Sequence, residues 1–429
     1  MAKINRFVAT YRDMITTSGV PDSQVQPPKA VIQRFLHVFK QVDDSRIQGM
    51  VDYPLVEIIL IAFLAVLGNA STWVEIETFG RTKQRWLKKF LKLKNGIPSH
   101  DTFRRVFSLI DTEQLQAVTV AFLMENLTAI KKSLGVKEEG YRQICIDGKE
   151  QRGTGRKYNY DEKVRNLQTL HVYDASNEIC LFSKAIDEKT NEIPVAQKIL
   201  ECMNLKGCVV TFDALHTQQE TIQIIVNCKG EYVGGLKGNQ SKLLELAEKT
   251  FSPEVLAEIR KTSDYYETTE KAHGKVETRR YYLKKAKRGL DGVMGWPHLR
   301  NFICYEKYTC DVINGKETRE VRYYITSLND VEAAAQAIRG HWGIENNLHW
   351  HLDYSMMEDM NTTMDKTAFN NLSLMNKMVL SLCKLAKPIL GNLSIRVIRK
   401  KLGWGYEETL GALLTCFSPE TIQNCLENH

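Results

Sequence analysis

The spacing of apolar residues changes along this chain, and the change separates a helical part from a part rich in strands. In residues 55–67, 85–93 and 103–110, apolar side chains recur at intervals of three and four, the spacing of one face of an α-helix. No strand-like alternation competes with this pattern before residue 135. We therefore predict an all-helical domain for residues 1–135.

A turn followed by a capped helix stands out within this domain. Gly96 and Pro98 favour a turn, and Ser99 suits the N-cap of a helix that carries Arg104 and Arg105. This arrangement is typical of a helix-turn-helix, whose second helix reads DNA. The alternative is an ordinary capped helix with two arginines and no ligand.

Short β-rich runs begin at residue 141 and predict the order βββαβαβα. The first strand, "RQICIDG", ends in Asp147, and the fourth, "GCVVTFDA", ends in Asp213. A mostly β stretch at 262–327 follows, and the Asn-Gly pair at 314–315 marks a hairpin within it. These patterns predict an α/β protein.

The longest apolar run, Ile58 to Leu67, is too short to span a bilayer, and the N-terminus carries no export signal. We expect a cytoplasmic protein with no membrane partner. The net charge of +7 is concentrated: residues 81–105 carry a local +8, and Lys271 to Arg288 a local +7. Two such patches favour a polyanion partner, nucleic acid before membrane, although a solvated face is the simpler interpretation of either run.

The two strand-end acids are expected side by side. In a βββαβ order the first and fourth strands are usually parallel neighbours, so the carboxylates of Asp147 and Asp213 would emerge together. Like charges that close repel unless a cation bridges them, and hard divalent cations choose oxygen ligands. A third acid is then expected, although each Asp alone could simply cap a turn.

The helix through "HWGIENNLHWHLD" offers that acid. Glu345 is predicted to lie inside an inward apolar stripe, where an ionised carboxylate needs a cation or another strong partner. His341, Glu345 and His349 also form a row at i, i+4 and i+8, extended by Asp353, that could hold zinc. The row lacks the H-E-x-x-H spacing of helical metalloproteases, which disfavours zinc. Trp342 and Trp350 are predicted to be core residues.

Several collinear segments together resemble the DDE transposases of bacterial insertion sequences, most closely the H-repeat-associated group. The resemblance spans about residues 30 to 405. It is carried by "LVEIILIAFLAVLGNASTWVEIETFG", "GIPSHDTFRRVFSLID", "ICIDGKEQRG", "TNEIPVAQKIL", "VVTFDALHTQ", "YVGGLKGNQ", "HGKVETRRYY", "YYITSL" and "IRGHWGIENNLHWHLD".

The resemblance implies a ribonuclease-H-like α/β core of βββαβαβ-α order, with a β-rich insertion before the last catalytic helix. The expected domains are a helical DNA-binding domain at 1–135, a catalytic domain at 136–365 with the insertion at 252–328, and a helical tail at 366–429. Asp147, Asp213 and Glu345 match the family's three catalytic, metal-binding acids. The implied cofactor is Mg²⁺, as two ions with Mn²⁺ as a substitute. The implied partner is double-stranded DNA, both element ends and target, bound by a homodimer in association with the bacterial nucleoid.

Two positions depart from the wider family pattern. Many related transposases carry an arginine four residues before the third acid and a lysine seven after it, both contacting phosphate. Here these positions hold His341, which can donate to phosphate, and Leu352, which cannot. The segment after Asp359 also lacks the expected arginines, which leaves open a decayed element.

Residues expected to contact DNA fall into three groups: the basic helices, the edge of the sheet near the acids, and the second basic patch with the last helix. They are Lys83, Arg85, Lys88, Lys89, Arg104 and Arg105; His216, Lys237, Asn239 and Gln240; and Arg279, Arg280, Arg339 and His341. His216 could instead be a turn residue satisfied by backbone, and Asn239 a helix cap.

Three functions remain open from the sequence. The leading one is a transposase that cleaves DNA phosphodiesters and transfers the resulting 3′-OH to target DNA. The others are a ribonuclease-H-like nuclease without strand transfer, and a DNA-binding protein that has lost catalysis.

Overall fold

The computed structural model describes residues 27–133, 140–154, 166–186, 192–272, 274–287, 289, 293–387 and 393–404. Within these ranges the chain is an α/β protein in which a mixed sheet is flanked by helices. None of the described helices combines the length and hydrophobicity needed to cross a bilayer.

Helices fill the described part of the N-terminal third. They are α1 Pro27–Phe39, α2 Leu55–Leu67, α3 Trp73–Thr82, α4 Gln84–Leu87, α5 His100–Phe107 and α6 Thr112–Ser133. Helix α2 is apolar on all sides because it is buried on nearly all sides. The N-cap predicted at Ser99 is confirmed, since its hydroxyl accepts a hydrogen bond from the Thr102 N–H.

The helix predicted at 85–93 is wrong beyond its first residues. Helix α4 ends at Leu87, and Leu93 has a positive φ of 44°, which no α-helix accommodates. The apolar spacing arises instead because Leu87 reaches the core from the end of α4, and Leu91 and Leu93 reach it from the irregular segment that follows.

One nine-stranded sheet organises the rest of the chain. Its strands are β1 Arg142–Gln151, β2 Leu167–Asp174, β3 Ile179–Ile186, β4 Cys208–Phe212, β5 Glu231–Gly235, β6 Tyr265–Ala272, β7 Lys275–Lys285, β8 Asn301–Asp311 and β9 Glu317–Thr326. Their spatial order is 3-2-1-4-5-9-8-7-6. Strand β4 runs parallel to β1 and β5, and the other pairings are antiparallel. The predicted hairpin is present as β8 and β9, and its strands extend the same sheet.

Helices cover both faces of this sheet. Four helices lie between the strands in sequence: α7 Glu192–Leu200, α8 Gln219–Asn227, α9 Ser241–Thr250 and α10 Pro253–Ile259. Their apolar residues pack with Ile144, Ile146 and Phe212 on one face. The other face receives α11 Val331–Gly343, whose N-cap is Asp330.

Helix α11 does not end at Gly343 but continues through a π-helical turn, Ile344–His349, into α12 Trp350–Tyr354. Helix α13, Lys366–Ala386, and helix α14, Ile395–Trp404, follow. Helix α13 packs between α6 and β3, so the N-terminal helices and the sheet share one apolar core.

Candidate metal centre

Asp147 and Asp213 lie at the same level on adjacent parallel strands. The β1–β4 pairing ends at Ile146 and Phe212, and the two acids are the next residues of their chains. Strand β1 does not end at Asp147, as the sequence had suggested, because β2 keeps pairing with it as far as Gln151. Asp213 begins the loop after β4, where one carboxylate oxygen accepts the N–H groups of Leu215 and His216 at 3.0 and 3.3 Å.

The row of His341, Glu345, His349 and Asp353 runs from α11 through the π-helical turn into α12, and it faces this sheet. His341 Nδ1 lies 3.0 Å from the Thr211 hydroxyl of β4, and the Lys149 ammonium of β1 donates to Asp353 at 2.5 Å. Between them, Glu345 lies close to Asp147: these two residues and His349 offer ligand atoms that are all within 4.8 Å of one another. The row therefore brings a carboxylate and an imidazole to Asp147, and Asp213 is not a member of this group.

The apolar stripe predicted for this segment is present, but Glu345 does not belong to it. Its buried members are Ile344, Leu348 and Leu352, whereas the Glu345 side chain is 60% exposed. Trp342 and Trp350 are 40% and 50% exposed, so their prediction as core residues is wrong. The π-helical turn adds a residue to one turn and so changes the face presented by the residues that follow it, among them Trp350, whereas Trp342 precedes the turn.

Glu345 is contacted by the buried His349, which is contacted in turn by the buried His171. Its carboxylate accepts a hydrogen bond from His349 Nδ1 at 2.9 Å, and His349 Nε2 lies 3.0 Å from His171 Nδ1 on β2. A carboxylate only accepts, so the Nδ1 of His349 carries the proton. Burial holds the pKa of His171 well below its ordinary value, which keeps that ring neutral.

These contacts argue against a zinc site formed by His341, Glu345 and His349. Both nitrogens of His349 have protein partners, and His341 Nδ1 is engaged by Thr211. Burial lowers the pKa of His341 to about 4, so this ring is neutral at physiological pH and offers DNA phosphate no positive charge. His349 is best described as the residue that orients Glu345.

Asp147 and Glu345 face each other across the site, and their pKa values are shifted in opposite directions. The pKa of Asp147 is raised to about 6, mainly by burial and also by the nearby Asp213 and Glu345 carboxylates, while His349 acts in the opposite direction. The hydrogen bond from His349 lowers the pKa of Glu345. A divalent cation fits here, because it would offset the repulsion between carboxylates that supply the oxygen ligands hard cations prefer.

Most of the basic residues predicted to contact DNA in the helical domain are exposed. These are Arg85, Lys88, Lys89, Arg104 and Arg105, and Lys83 is half-buried. Among the described residues, the exposed Asp101 pairs with Arg104 at 3.5 Å.

Of the residues predicted to contact DNA near the acids, Lys237 and Asn239 are exposed, Gln240 is half-buried and His216 is buried. The Asn239 and Gln240 amides donate to the carbonyls of Ala214 and Thr217 at 2.6 and 2.7 Å. They thereby fix the loop that carries Asp213. His216 is only 1% exposed and does not reach solvent.

The arginines of the second patch are paired with acids. Arg279 is buried and bonded to Glu270 and Glu277, and Arg280 donates to Glu267 at 2.6 Å. Arg339 is half exposed and lies 3.1 Å from Glu270. Two of the eight bases at 271–288 are therefore paired with acids, and Arg279 is too deeply buried to reach DNA from this position.

Two residues of the site were missed by sequence reasoning. His171 is the residue directly opposite Asp147 in the β1–β2 register, and Lys149 lies on the same face of β1 as Asp147. The register carried the signal for His171, but it is known only once β2 is paired. Leu352, at the position of the missing phosphate-contacting lysine, is fully buried.

Comparisons with known proteins agree on one family. A family model described as "Transposase DDE domain" matches residues 138–382, and one described as "DDE_Tnp_1-associated" matches residues 36–123. A putative transposase of Escherichia coli O157:H7 is 30% identical over 92% of this chain and 96% of its own length. An H repeat-associated putative transposase of Escherichia coli strain K12 is 30% identical over 76% of this chain and 84% of its own length.

Among solved structures, a piggyBac transposase synaptic complex with hairpin DNA aligns over 94% of this chain and 82% of its own, at 11% identity and a TM-score of 0.41. That likeness is too weak to support a conclusion about fold or function. The family matches are stronger evidence, because they cover both acid-bearing strands and the helical segment of the third acid. They show that the chain belongs to the DDE transposase family.

Proposed function

We propose that this protein binds the ends of its own insertion sequence, cleaves DNA phosphodiesters, and transfers the resulting 3′-OH to target DNA. One observation carries the proposal: Asp147 and Asp213 directly follow the last paired residues of two parallel strands, and Glu345, on the π-helical turn, lies close to Asp147. The strand order 3-2-1-4-5, with β1, β4 and β5 parallel, is the order expected of a ribonuclease-H-like core.

Each side chain has a distinct part in this proposal. Asp147, Asp213 and Glu345 would hold two divalent ions, Mg²⁺ or Mn²⁺ in its place, which when bound activate a water and stabilise the leaving oxygen of the phosphodiester. His349 orients Glu345 through its Nδ1–H. Asn239 and Gln240 keep the Asp213 loop in place.

DNA binding is proposed for the exposed bases of the helical domain, Arg85, Lys88, Lys89, Arg104 and Arg105. Their positive charge suits the phosphate backbone, and none of them is buried in a network like that of Arg279. We propose that the protein acts as a homodimer on double-stranded DNA at the bacterial nucleoid.

A supercoiled plasmid carrying the flanking repeats, mixed with a target plasmid and Mg²⁺, tests the proposal. Wild type should nick the first plasmid and join its ends to the second, and Asp213→Ala should do neither while still binding DNA. Nicking without joined products would support the nuclease without strand transfer.

A catalytically decayed DNA-binding protein is the second candidate. It is favoured by the buried Leu352, which leaves the position of a phosphate-contacting lysine inside the core. One relative, matched over 15% of this chain, is named an inactive transposase of Escherichia coli strain K12. In the same assay, sequence-specific binding by wild type with no metal-dependent nicking would establish this function.

A further inference from the structure

A fourth carboxylate lies beside the centre, on the opposite face of the sheet from Glu345. Glu192 is the first residue of α7, and its carboxylate lies directly over Gly148, the residue after Asp147. A Cβ placed on Gly148 would be 2.6 and 2.7 Å from the two carboxylate oxygens. Only glycine at this position lets the carboxylate come so close to the strand.

The sheet is open where Glu192 reaches it. Strand β4 stops pairing with β1 at Ile146, so beyond that point the β4 side of β1 has no neighbouring strand. Side chains from either face can reach this gap, which Asp147 and Asp213 border. Glu345 approaches from the α11 face and Glu192 from the α7 face, because successive residues of β1 point to opposite faces.

A buried histidine joins Glu192 to Asp213. His216 is 1% exposed, its Nε2 lies 3.6 Å from Glu192 Oε2, and its backbone N–H donates to Asp213. Among the described residues, neither of its ring nitrogens has a hydrogen-bond partner. Buried polar groups are seldom left unpaired, so this ring indicates that a further ligand belongs between Glu192 and Asp213.

We propose that Glu192 is a fourth acidic residue of the metal centre and binds the divalent ion that Asp147 and Asp213 share, with His216 as its positioning residue. The inference rests on the proposed function, since it assumes that the strand acids hold such an ion. It gives Gly148 a role as well: the absence of a side chain there admits the Glu192 carboxylate. Mg²⁺ and Mn²⁺ both accept an oxygen ligand of this kind.

Mn²⁺ binding to the purified full-length protein without DNA, followed by electron paramagnetic resonance, tests the proposal independently of activity. Glu192→Gln keeps the shape but removes the charge, so it should weaken binding of one ion about 10- to 100-fold. Glu220→Gln, an exposed acid at the start of α8, is the matched control and should bind Mn²⁺ as wild type does. Melting temperatures of the metal-free variants show that each is folded.

Gly148→Ala provides a second test that leaves Glu192 intact. Its Cβ would displace the carboxylate, so it should weaken Mn²⁺ binding in the wild-type background. In a Glu192→Ala background the space is free, and the same substitution should have little further effect. An effect of equal size in both backgrounds would contradict the proposal.

The outcomes separate this inference from the function on which it rests. If Asp213→Asn abolishes Mn²⁺ binding while Glu192→Gln binds as tightly as wild type, the role of Glu192 is overturned and the metal centre stands. If wild type binds no Mn²⁺, the proposed function itself fails.

Discussion

Two carboxylates a few ångströms apart acquire opposite properties at this site. Burial raises the pKa of Asp147 to about 6, whereas the hydrogen bond from His349 lowers the pKa of Glu345. Asp147 therefore carries the larger cost of ionisation, and a bound cation would relieve that cost. This contrast leads to two predictions about single residues.

Asp147→Asn should stabilise the metal-free protein at high pH. The pKa of Asp147 in the fold is about 6, above its ordinary 3.8, so ionising it opposes folding. The penalty is absent below about pH 4 and complete well above pH 6, where it reaches up to about 3 kcal/mol. Urea unfolding in the presence of a chelator should give the variant a higher free energy of unfolding than wild type at pH 8. The difference between the two should be smaller at pH 4.5. Equal stabilities at pH 8 would show that Asp147 bears no such cost.

His349→Ala should slow DNA cleavage by about 10- to 100-fold, the usual cost of losing a residue that orients a metal ligand. The variant removes the donor to Glu345 but none of the three acids. Single-turnover cleavage at saturating protein measures the effect. His351→Ala is the matched control, because the His351 ring bonds Ser355 away from the acids. A reduction as large as that caused by removing Glu345 would make His349 a metal ligand instead.

At this scale the sequence predicted the acids but not their support. Asp147 and Asp213 were proposed because each follows a run of apolar residues, and Glu345 because it was expected inside an apolar stripe, although its side chain is 60% exposed. His171 could not, because its contact with His349 joins residues 178 apart in the chain. The burial of Arg279 was missed for a different reason: its acidic partners are near in sequence, on β6 and within its own strand, but which face of the sheet is covered is known only from the fold.

Among the elements, the irregular segment after α4 departs most from its sequence pattern. Apolar spacing at 85–93 suggested a helix, but only Leu87 lies in one, and Leu91 and Leu93 reach the core from the segment after it. The exposed bases between them therefore project from a short helix and a loop. The π-helical turn at Ile344–His349 could not be predicted from the sequence either, since no residue propensity distinguishes it from an ordinary helical turn.

Replacing Arg85, Lys88 and Lys89 by Gln should weaken DNA binding mainly at low salt. For every phosphate that the variant no longer neutralises, the slope of log affinity against log salt should flatten by about 0.9, because fewer counterions are released on binding. Fluorescence anisotropy with a duplex at several salt concentrations measures the slope. As a control, replacing the exposed Lys198, Lys206 and Lys229 by Gln should leave the slope unchanged. An unchanged slope in the first variant would show that this surface is merely solvated.

Across the whole molecule, one core connects the N-terminal helices with the sheet. Helix α13, expected as part of a tail, is instead central to that core, and its Met375 and Met378 are fully buried. The Asn371 amide donates to the carbonyls of Phe107 and Ile110 at 2.8 and 2.9 Å. Local periodicity predicted the helix correctly but carried no information about what it packs against.

Asn371→Ala should destabilise the whole protein by about 1–3 kcal/mol, because two buried carbonyls lose a donor. The neighbouring Asn370→Ala, at a half-buried position, should cost less than about 0.5 kcal/mol. Urea unfolding followed by far-UV circular dichroism and by tryptophan fluorescence should give one coincident transition for each variant. Two separate transitions would mean that the helical part and the sheet unfold independently.

The central claim is that Glu345 completes an acidic site for divalent ions that cleave DNA, and Glu345→Gln tests it most directly. The substitution preserves shape and hydrogen bonding but removes one charge. We expect Mg²⁺- or Mn²⁺-dependent cleavage of end-containing DNA to fall by several orders of magnitude, with DNA affinity retained and Ca²⁺ supporting binding but little chemistry. Cleavage by Glu345→Gln at the wild-type rate, or nicking by a purified protein that carries stoichiometric zinc and no added metal, would contradict the account.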